Sequence, residues 1–232
     1  MDGNGRWATR RGLPRVFGHR RGVERVREVA TFCGKAGVRY LTLYAFSTEN
    51  WRRPREEVDA LMGILEETIR KEARALVENN VKAKVIGERE GLPASLCRAI
   101  EELEAKTAGC TGLVLCLAIN YGGRREITGA VRRIAGKVRD GLLEADAISE
   151  EVISSYLYTA GIPDPDLVIR TSGEMRMSNF LTWQTVYSEL WFTRTLWPDF
   201  STRELAAAIR SYQSRERRFG GRGKTRGESD VC

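Results

Sequence analysis

The apolar run "LVLCLAI" at positions 113–119 constrains the fold more than any other stretch of the sequence. A segment that is apolar at every position is typical of a strand covered on both faces, and such strands belong to parallel sheets with helices on each side. The run is far too short to span a bilayer. It therefore predicts a buried strand in a sheet that helices flank.

Strand-like and helix-like segments alternate along most of the chain. Short apolar or alternating runs predict strands at "VRYLTLYAFS", "VKAKVI", "DLVIR" and "ELWFT". Helical spacing of apolar residues predicts helices at 20–35, 54–80 and 94–106, after "NYGG", after Ser149, and after a capping box formed by Ser201 and Glu204. This order favours an α/β fold, a single domain with a mostly parallel central sheet flanked by helices. We expect the domain to span residues 1–218 and a basic, disordered tail to occupy residues 219–232.

The charge and the cysteine content limit the possible partners and compartments. The 232-residue chain carries a formal net charge of +7 and contains one histidine. Such a surplus attracts anions, which include nucleic acids, phosphorylated metabolites and membrane surfaces. The five cysteines are odd in number and form no Cys-x-x-Cys pair, and no secretory signal precedes Asp2. We therefore expect a cytoplasmic protein without a disulfide framework or a zinc site.

Four polar segments fall where predicted strands end or where the first helix begins. They are "MDGNGRW", "STENWRR", "NYGGRRE" and "RTSGEMRMSN". In a parallel sheet such segments meet at the carboxyl edge, where ligands bind. Their small residues let backbone N–H groups approach an anion, and their arginines can neutralise it. Together they predict a substrate with more than one phosphate.

The spacing of residues excludes several other phosphate and metal motifs. "DGNGRW" begins like a calcium loop, but Arg6 and Trp7 occupy positions that need an acidic or amide residue and a glycine. No glycine-rich loop of the nucleoside-triphosphate or dinucleotide type follows a strand. The segment "RERRFGGRG" resembles an RNA-contacting Arg-Gly stretch, so RNA binding stays open as an alternative function.

A set of motifs carries a resemblance to one enzyme family. In order they are "MDGNGRWA", "FGHRRG", "TLYAFSTENWRRP", "NYGGRREI", "PDLVIRTSGEMRMSNFLTWQ", "YSELWFTRTLWPDF" and "RERRFGG". This set resembles the motifs of the cis-prenyltransferases, typified by undecaprenyl diphosphate synthase, over nearly the whole chain. The resemblance implies the cis-prenyltransferase fold and a homodimeric enzyme that uses Mg²⁺ to condense isopentenyl diphosphate with an allylic diphosphate such as farnesyl diphosphate. The product would be a Z-polyprenyl diphosphate, a lipid-carrier precursor released through transient contact with a membrane surface, and no nucleic acid is expected as a partner.

The resemblance also implies roles for the residues of the first two motifs. Asp2 is implied as the central acidic residue of the catalytic site and as a Mg²⁺ contact. The residues implied to surround the allylic diphosphate are Gly3, Asn4, Gly5, Arg6 and the neighbouring Trp7, with Arg15 and His19 completing the anion cage. Without the resemblance, His19 would be interpreted as a surface residue beside a helix.

The later motifs supply the rest of the implied site. In the "FSTENWRR" motif, the resemblance implies that Ser47, Thr48 and Glu49 line the allylic pocket. It assigns Asn50 to proton removal and places Trp51 and Arg53 over the substrate. Because a neutral amide is a poor general base, we expect Asn50 to position a proton route. The implied isopentenyl diphosphate site consists of Arg170, Arg176, Ser178 and the backbone of Met177. Glu189 would complete the metal site, from the same chain or from the neighbouring subunit, and supporting contacts are expected from Glu174, Glu126 and Asn120.

Two further expectations concern the apolar product and the start of the sequence. Leu113, Val81 and Ala45 are candidate walls of a tunnel for the growing chain, with a sealed core as an equal alternative. Family members that this chain resembles carry a short apolar strand before "MDGNGRWA", so we expect the natural start to lie upstream of Met1. A chain that began at Met1 would have a sheet without that first strand and a positively charged amino group near Asp2. A non-catalytic, prenyltransferase-like subunit is a further alternative, although the implied catalytic and metal positions are all present.

Overall fold

Parallel strands and α-helices alternate through residues 1–215, the part of the chain that the structure, a computed structural model, describes. The strands are β1 (Tyr40–Ser47), β2 (Lys82–Ile86), β3 (Val114–Tyr121), β4 (Leu167–Arg170) and β5 (Glu189–Phe192). The helices are α1 (Asn4–Thr9), α2 (Arg15–Lys35), α3 (Arg55–Glu78), α4 (Ala94–Thr107), α5 (Gly123–Arg139), α6 (Glu150–Ser155) and α7 (Thr202–Gln213). Short 3₁₀ turns lie at Thr48–Arg52, Ala145–Ala147 and Trp197–Asp199. The predicted tail at 219–232 lies outside the described residues.

Strand β3 occupies the centre of a three-stranded parallel sheet with the order β1-β3-β2. Leu115 of β3 lies opposite Leu41 of β1 and Ala83 of β2. A strand with a neighbour on each side and helices over both faces is shielded from water, which explains why "LVLCLAI" is apolar throughout. The predicted parallel sheet with flanking helices is confirmed.

The remaining strands form a second sheet, so the described residues contain two parallel sheets where one central sheet was predicted. β4 pairs with β5 alone, with Leu167 opposite Glu189 and Arg170 opposite Phe192. Met1 packs in the same apolar cluster as Leu43 of β1 and Ile169 of β4. The first residues of the chain therefore lie between the two sheets.

Two apolar clusters fill the space between the sheet and helices α2, α3, α4 and α7. The first joins α3 and α4 to the strands and includes the predicted α3 stripe residues Val58, Leu61, Met62, Ile69 and Ala73. The second joins α2 and α7 to the strands and includes Val81 and Leu113. These two side chains are 8% and 5% exposed, which favours the sealed-core interpretation over a tunnel wall. Ala45 packs, partly buried, against the first cluster.

A buried polar network lies under α5 and α6. Glu126 is fully buried and accepts hydrogen bonds from the hydroxyl of Tyr121 at 2.5 Å, the backbone N–H of Tyr158 at 2.7 Å and the amide of Gln184 at 3.2 Å. These donors satisfy a carboxyl group that would otherwise be costly to bury. Glu126 therefore serves the core, and it does not contact the implied site residues as the sequence suggested.

The structure differs from the sequence interpretation at one additional helix, one helix boundary and one cap. The segment at 4–9, expected as a loop, forms α1, and α2 begins at Arg15, five positions before the predicted start. Both regions are rich in glycine and arginine, which hides the apolar periodicity. At α7 the Ser201 hydroxyl accepts the N–H of Glu204 as predicted, but the Glu204 carboxylate accepts from Thr193 and Thr195 and leaves the capping box half formed.

Among the helices of residues 1–215, none combines the length and the apolar content needed to cross a bilayer.

Candidate active site

The four polar segments come together at the carboxyl edge of the sheets. The backbone N–H of Gly123, after β3, donates to the carbonyl of Asn179, in the segment that follows β4, at 2.8 Å. The Asn179 amide in turn donates to Glu49, after β1, at 2.7 Å. Asp2 is joined to Thr171, directly after β4, by a hydrogen bond from its N–H at 3.0 Å. The edge that the strand order predicted is therefore where these side chains meet.

Asp2 lies between two arginines. Its carboxylate oxygens are 3.5 Å from Nη2 of Arg6 and 3.2 Å from Nη2 of Arg170. Its carbonyl accepts hydrogen bonds from the Thr171 hydroxyl and from the N–H of Trp197, which fix the backbone. Burial alone would raise the pKa of Asp2, but the hydrogen bond from Arg170 and the charge of Arg6 hold it below its ordinary value. The carboxylate is therefore ionised at neutral pH.

Arg6, Arg170 and Arg176 form what we call the arginine cluster. Arg170 donates from Nη1 to the Ser178 hydroxyl at 2.8 Å and to the carbonyl of Arg176. Glu174 is 3.2 Å from Nη1 of Arg6 and also pairs with Nη1 of Arg176. Three guanidinium groups thus face two carboxylates, those of Asp2 and Glu174, which leaves a positive surplus suited to an anion.

The backbone around the arginine cluster holds uncommon conformations. Ser172 and Ser178 have φ values of 77° and 51°, in the left-handed region that non-glycine residues seldom adopt. Arg6 holds Ser172 through its hydroxyl at 2.6 Å and its carbonyl at 3.3 Å. Backbone strain of this kind clusters at ligand sites, because the surroundings must hold it in place.

The segment before Arg6 is shaped by close packing as well as by charge. Gly3 has a φ of 101°, and a Cβ there would lie 2.8 Å from Leu196, so only glycine suits the position. The side-chain oxygen of Asn4 is buried next to Gly22 of α2 and, within residues 1–215, has no hydrogen-bond partner, while its amide nitrogen donates to the carbonyl of Met1 at 3.4 Å. The Trp7 indole donates to Asp199 at 2.7 Å and stacks under Arg11. Trp7 therefore uses its side chain within the protein, whereas the buried oxygen of Asn4 has no partner among the described residues.

A second group of charges, which we call the Glu57 cluster, joins α2 to α3. The Glu57 carboxylate is 3.3 Å from Arg15, 3.0 Å from Arg53 and 3.9 Å from the Nε2 atom of His19. The sequence indicated Glu57 only as an acid in the first turn of a helix, because its partners on α2 lie some forty positions away. Arg15 of this cluster also lies close to Gly5, the residue before Arg6, since a Cβ at Gly5 would lie 3.6 Å from the Arg15 side chain.

His19 is neutral in this environment. Burial lowers its pKa, and the nearby charges of Arg53 and Arg15 lower it further, to about 4, despite the opposing effect of Glu57. In the ligand-free site His19 can therefore donate or accept a hydrogen bond, but the positive charge of the cage comes from its arginines.

The turn after β1 is built from the implied pocket residues. Ser47 and Asn50 cap the 3₁₀ turn reciprocally, with the Asn50 side-chain oxygen accepting the N–H of Ser47 at 3.1 Å. The Trp51 indole donates to Asn120 at 2.8 Å. Burial alone would raise the pKa of Glu49, but hydrogen bonds, chiefly from Asn179, lower it. Asn50 therefore already has a structural hydrogen bond in this turn.

The loop after β3 lies very close to the turn after β1 and to the segment after β4, and this depends on Gly122 and Asn179. The sequence interpretation missed Asn179. A Cβ at Gly122 would lie 2.5 Å from the Thr48 hydroxyl and 2.8 Å from the Asn179 amide. Asn179 also accepts the N–H of Arg124 at 2.8 Å and has a φ of 62°. It thereby ties three polar segments together. Its only sequence signal is a short polar residue after serine, which is common in turns.

Glu189 lies apart from Asp2 within one chain. It begins β5 opposite Leu167, at the amino end of the pair, and its carboxylate binds Arg215 at 2.5 Å. Asp2 contacts Thr171 at the other end of β4, so the two carboxylates are separated by several residues of strand, roughly 10 Å or more at 3.3 Å per residue. The structure does not bring together the two implied metal contacts of a single chain.

The amino group of Met1 is buried beside Asp2. Burial lowers its pKa to about 6, although the charge of Asp2 acts in the opposite direction. Within residues 1–215, no group of three or more His, Cys, Asp or Glu side chains could hold a metal ion.

The parallel α/β fold and the arginine-rich edge around one carboxylate define a class of protein that handles polyanionic substrates. A family model described as "Putative undecaprenyl diphosphate synthase" matches residues 1–220. The chain belongs to this family, the cis-prenyltransferases, and is a prenyl-transferring enzyme.

Relatives and solved structures agree with this assignment. An isoprenyl transferase of Agrobacterium fabrum is 56% identical over 220 residues, which cover 95% of this chain and 89% of that protein. One from Heliobacterium mobile is 55% identical over 221 residues, with coverage of 95% and 85%. The crystal structure of lavandulyl diphosphate synthase from Lavandula x intermedia in complex with dimethylallyl diphosphate is similar with a TM-score of 0.92, 38% identity and coverage of 95% of each chain. A probable undecaprenyl diphosphate synthase from Campylobacter jejuni gives a TM-score of 0.77 at 35% identity, over 86% of this chain and 92% of that one.

Proposed function

We propose that the enzyme condenses isopentenyl diphosphate with an allylic diphosphate such as farnesyl diphosphate to form a Z-polyprenyl diphosphate, the precursor of a lipid carrier. The observation that carries this proposal is the Asp2 carboxylate held between Arg6 and Arg170. One carboxylate flanked by two guanidinium groups on separate segments provides a cationic site on each of its sides. A reaction between two diphosphates requires such a pair of sites.

Each side has its own set of donors. The allylic diphosphate would be bound by Arg6, Arg15 and the backbone of Gly3, Asn4 and Gly5, as the family resemblance implies. Isopentenyl diphosphate would be bound by Arg170, Arg176 and Ser178, since Arg170 already donates to the Ser178 hydroxyl and to the backbone carbonyl of Arg176. Arginine suits both sites because its planar fork binds phosphate oxygens in pairs. The similar structure that contains dimethylallyl diphosphate supports an allylic diphosphate as one ligand.

The residues present fit Mg²⁺, the cofactor that the family implies. Mg²⁺ is usually held by one or two carboxylates together with substrate phosphates, so the ionised Asp2 and a bound diphosphate form a suitable donor set. When bound, the metal would neutralise charge on the leaving diphosphate. In a homodimer, Glu189 of the partner subunit would supply the second carboxylate.

In the proposed reaction the allylic C–O bond ionises, the isopentenyl double bond attacks the resulting cation, and a proton is lost. Arg6 and Arg15 stabilise the departing diphosphate through charge-assisted hydrogen bonds. Asn50 positions the wall of the pocket through its bond to Ser47 and directs the proton toward a diphosphate oxygen. The wall and the bound substrates exclude water from the cation.

The test is incubation with farnesyl diphosphate and radiolabelled isopentenyl diphosphate, with and without Mg²⁺, followed by chromatography of the lipids. We expect labelled polyprenyl diphosphate only with the metal. Asp2→Ala should lose at least about a hundredfold in kcat, because it removes the carboxylate between the two arginines. Asp59→Ala is the control, since it removes an exposed carboxylate that pairs with Arg55 on α3.

The folded state of both variants is checked by circular dichroism. If Asp2→Ala is folded and keeps more than about a tenth of the wild-type kcat, a barrier change below roughly 1.4 kcal/mol, the role of Asp2 is wrong. If the wild-type protein forms no labelled lipid with any allylic diphosphate, the proposed condensation is wrong.

A further inference from the structure

An exposed apolar surface lies at the junction of α1 and α2. Leu13 and Phe17 are 39% and 52% exposed, and they stand four positions apart on either side of the start of α2. The proposed catalysis uses neither side chain. Exposed apolar patches rimmed by polar residues mark a contact with another surface more often than single exposed residues do.

The same junction is rich in arginine, although Arg6, Arg15 and Arg21 pair with acidic side chains. No acidic residue occurs between Asp2 and Glu24, while six arginines do, at positions 6, 10, 11, 15, 20 and 21. Arg11 pairs with Asp199 at 3.3 Å and Arg20 approaches Glu67 at 3.9 Å. Arg10 is exposed and, within residues 1–215, has no ion pair. We call Arg10, Leu13, Phe17 and Arg20 the junction patch.

A cavity opens beside the junction patch. Its volume is about 340 Å³. Its walls combine apolar side chains with charged and polar ones, the apolar set being Pro14, Val16, Ala60, Leu61 and Ile64 and the polar set Arg15, His19, Glu56 and Glu57. Pro14 and Val16 lie between Leu13 and Phe17 in the sequence. An apolar chain that leaves this cavity would therefore meet the junction patch.

We propose that the junction patch docks on an anionic bilayer surface. Leu13 and Phe17 enter the boundary between headgroups and acyl chains, while Arg10 and Arg20 contact the lipid phosphates. The charge complementarity and the paired apolar side chains favour this partner over a nucleic acid, since the aliphatic Leu13 offers no face on which a base could stack. The purpose of docking, delivery of a polyprenyl product into the membrane, rests on the proposed function, but the docking itself does not.

The experiment is co-sedimentation of the full 232-residue chain with vesicles. One vesicle set contains equal amounts of phosphatidylglycerol and phosphatidylcholine, and the other contains phosphatidylcholine alone. We expect the wild-type protein to bind the anionic set, and the double variant L13S/F17S to bind it at least about tenfold more weakly. The matched control V131S/L142S also removes two exposed apolar side chains, which are 52% and 67% exposed elsewhere on the surface, and should bind like the wild type.

Charge is tested separately by Arg10→Glu, which should weaken binding to the anionic vesicles and leave the fold unchanged. This variant keeps the proposal testable if L13S/F17S fails to fold, as judged by thermal denaturation. The basic residues beyond position 215 are present in every variant, so their contribution cancels in the comparison. Failure of the wild type to bind, or equal losses in L13S/F17S and V131S/L142S, would overturn the proposal.

Two more measurements separate other occupants of the patch. If a labelled single-stranded oligonucleotide binds the wild type but not L13S/F17S, and vesicles do not bind, the patch serves nucleic acid and the proposal is overturned. If L13S/F17S changes the oligomeric state in gel filtration without changing vesicle binding, the patch contacts a second copy and the proposal is also overturned. Condensation by the wild-type protein is assayed separately, in detergent. If the wild-type protein binds vesicles but forms no polyprenyl diphosphate, the proposed function is wrong and the docking proposal stands.

Discussion

At the scale of single residues, the arginines proposed to bind diphosphates are already paired with carboxylates. Arg6 and Arg176 share Glu174, and Arg15 and Arg53 share Glu57. Most of these side chains are partly exposed, and such pairs contribute little to stability. A diphosphate can therefore replace a carboxylate partner at low cost, while the pairs keep each guanidinium oriented before the substrate arrives.

Arg176→Lys should raise the KM for isopentenyl diphosphate by about tenfold or more, while the KM for farnesyl diphosphate changes little. The reason is that a point charge replaces a fork at one of the two proposed anion sites. Steady-state kinetics with each substrate varied in turn gives both constants. Arg74→Lys, on the exposed surface of α3, is the control. Equal increases in both KM values would contradict separate sites.

His19→Gln should change how stability depends on pH. The folded-state pKa of His19 is about 4, below its ordinary 6.5, so the unfolded chain binds more protons between these values. The stability that neutral His19 provides is complete above pH 6.5 and is lost as the pH falls toward 4. Wild-type protein should therefore lose up to about 3 kcal/mol more than the variant between about pH 7 and pH 4. Urea unfolding at several pH values measures this, and parallel curves for the two proteins would contradict the assigned pKa.

At the scale of elements, the position of α1 depends on glycines in α2. A Cβ at Gly18 would lie 1.9 Å from the carbonyl oxygen of Asn4, and one at Gly22 would lie 2.4 Å from the Asn4 side chain. The two helices can approach this closely only because α2 has no side chain at these points. Since α1 carries Arg6, this packing also places the arginine cluster.

Gly18→Ala should destabilise the protein by about 1–3 kcal/mol and lower its activity, because the added methyl group pushes α1 away from α2. Gly34→Ala in the same helix is the matched control. Nothing lies within 4 Å of a Cβ at Gly34, so this change should stabilise the helix by about 0.5–1 kcal/mol. Chemical denaturation and turnover are measured for both variants, and similar effects on stability would show that α1 is not held by this contact.

At the scale of the whole molecule, the register of the second sheet separates Glu189 from the Asp2 of its own chain. An implied metal site that uses both residues therefore requires two subunits. Oligomers with two-fold symmetry allow each subunit to complete the site of the other. The pairing of Glu189 with Arg215 then serves to orient the carboxylate.

Mixed dimers provide a direct test of this arrangement. Asp2→Ala and Glu189→Ala homodimers should both be inactive, whereas a mixed dimer contains one doubly altered site and one intact site. Random mixing of the two variants should therefore restore about a quarter of the wild-type activity. Differently tagged chains confirm that mixed dimers form. If they form and no activity returns, Glu189 does not complete the site of a neighbouring subunit.

The sequence by itself determined the elements whose signal is local. The fully apolar β3 and the helical stripe of α3 were predicted because periodicity and burial follow directly from the residues of each segment. The short helix α1 was missed because it has six residues, and its glycine and arginine content conceals any stripe. The polar segments of the site were also recognised, since small residues and arginines after strands have a local chemical meaning.

Only the tertiary structure decided which of these residues meet. Glu57 and Asn179 look ordinary in sequence, and their partners come from segments that are distant along the chain. The division into two sheets and the separation of Glu189 from Asp2 depend on strand pairing and register, which long-range contacts establish. The neutral state of His19 likewise depends on burial between α2 and α3 and on the charge of Arg53 from another element. A sequence specifies the chemical groups of the site, but their distances and pKa values arise only when the chain has folded.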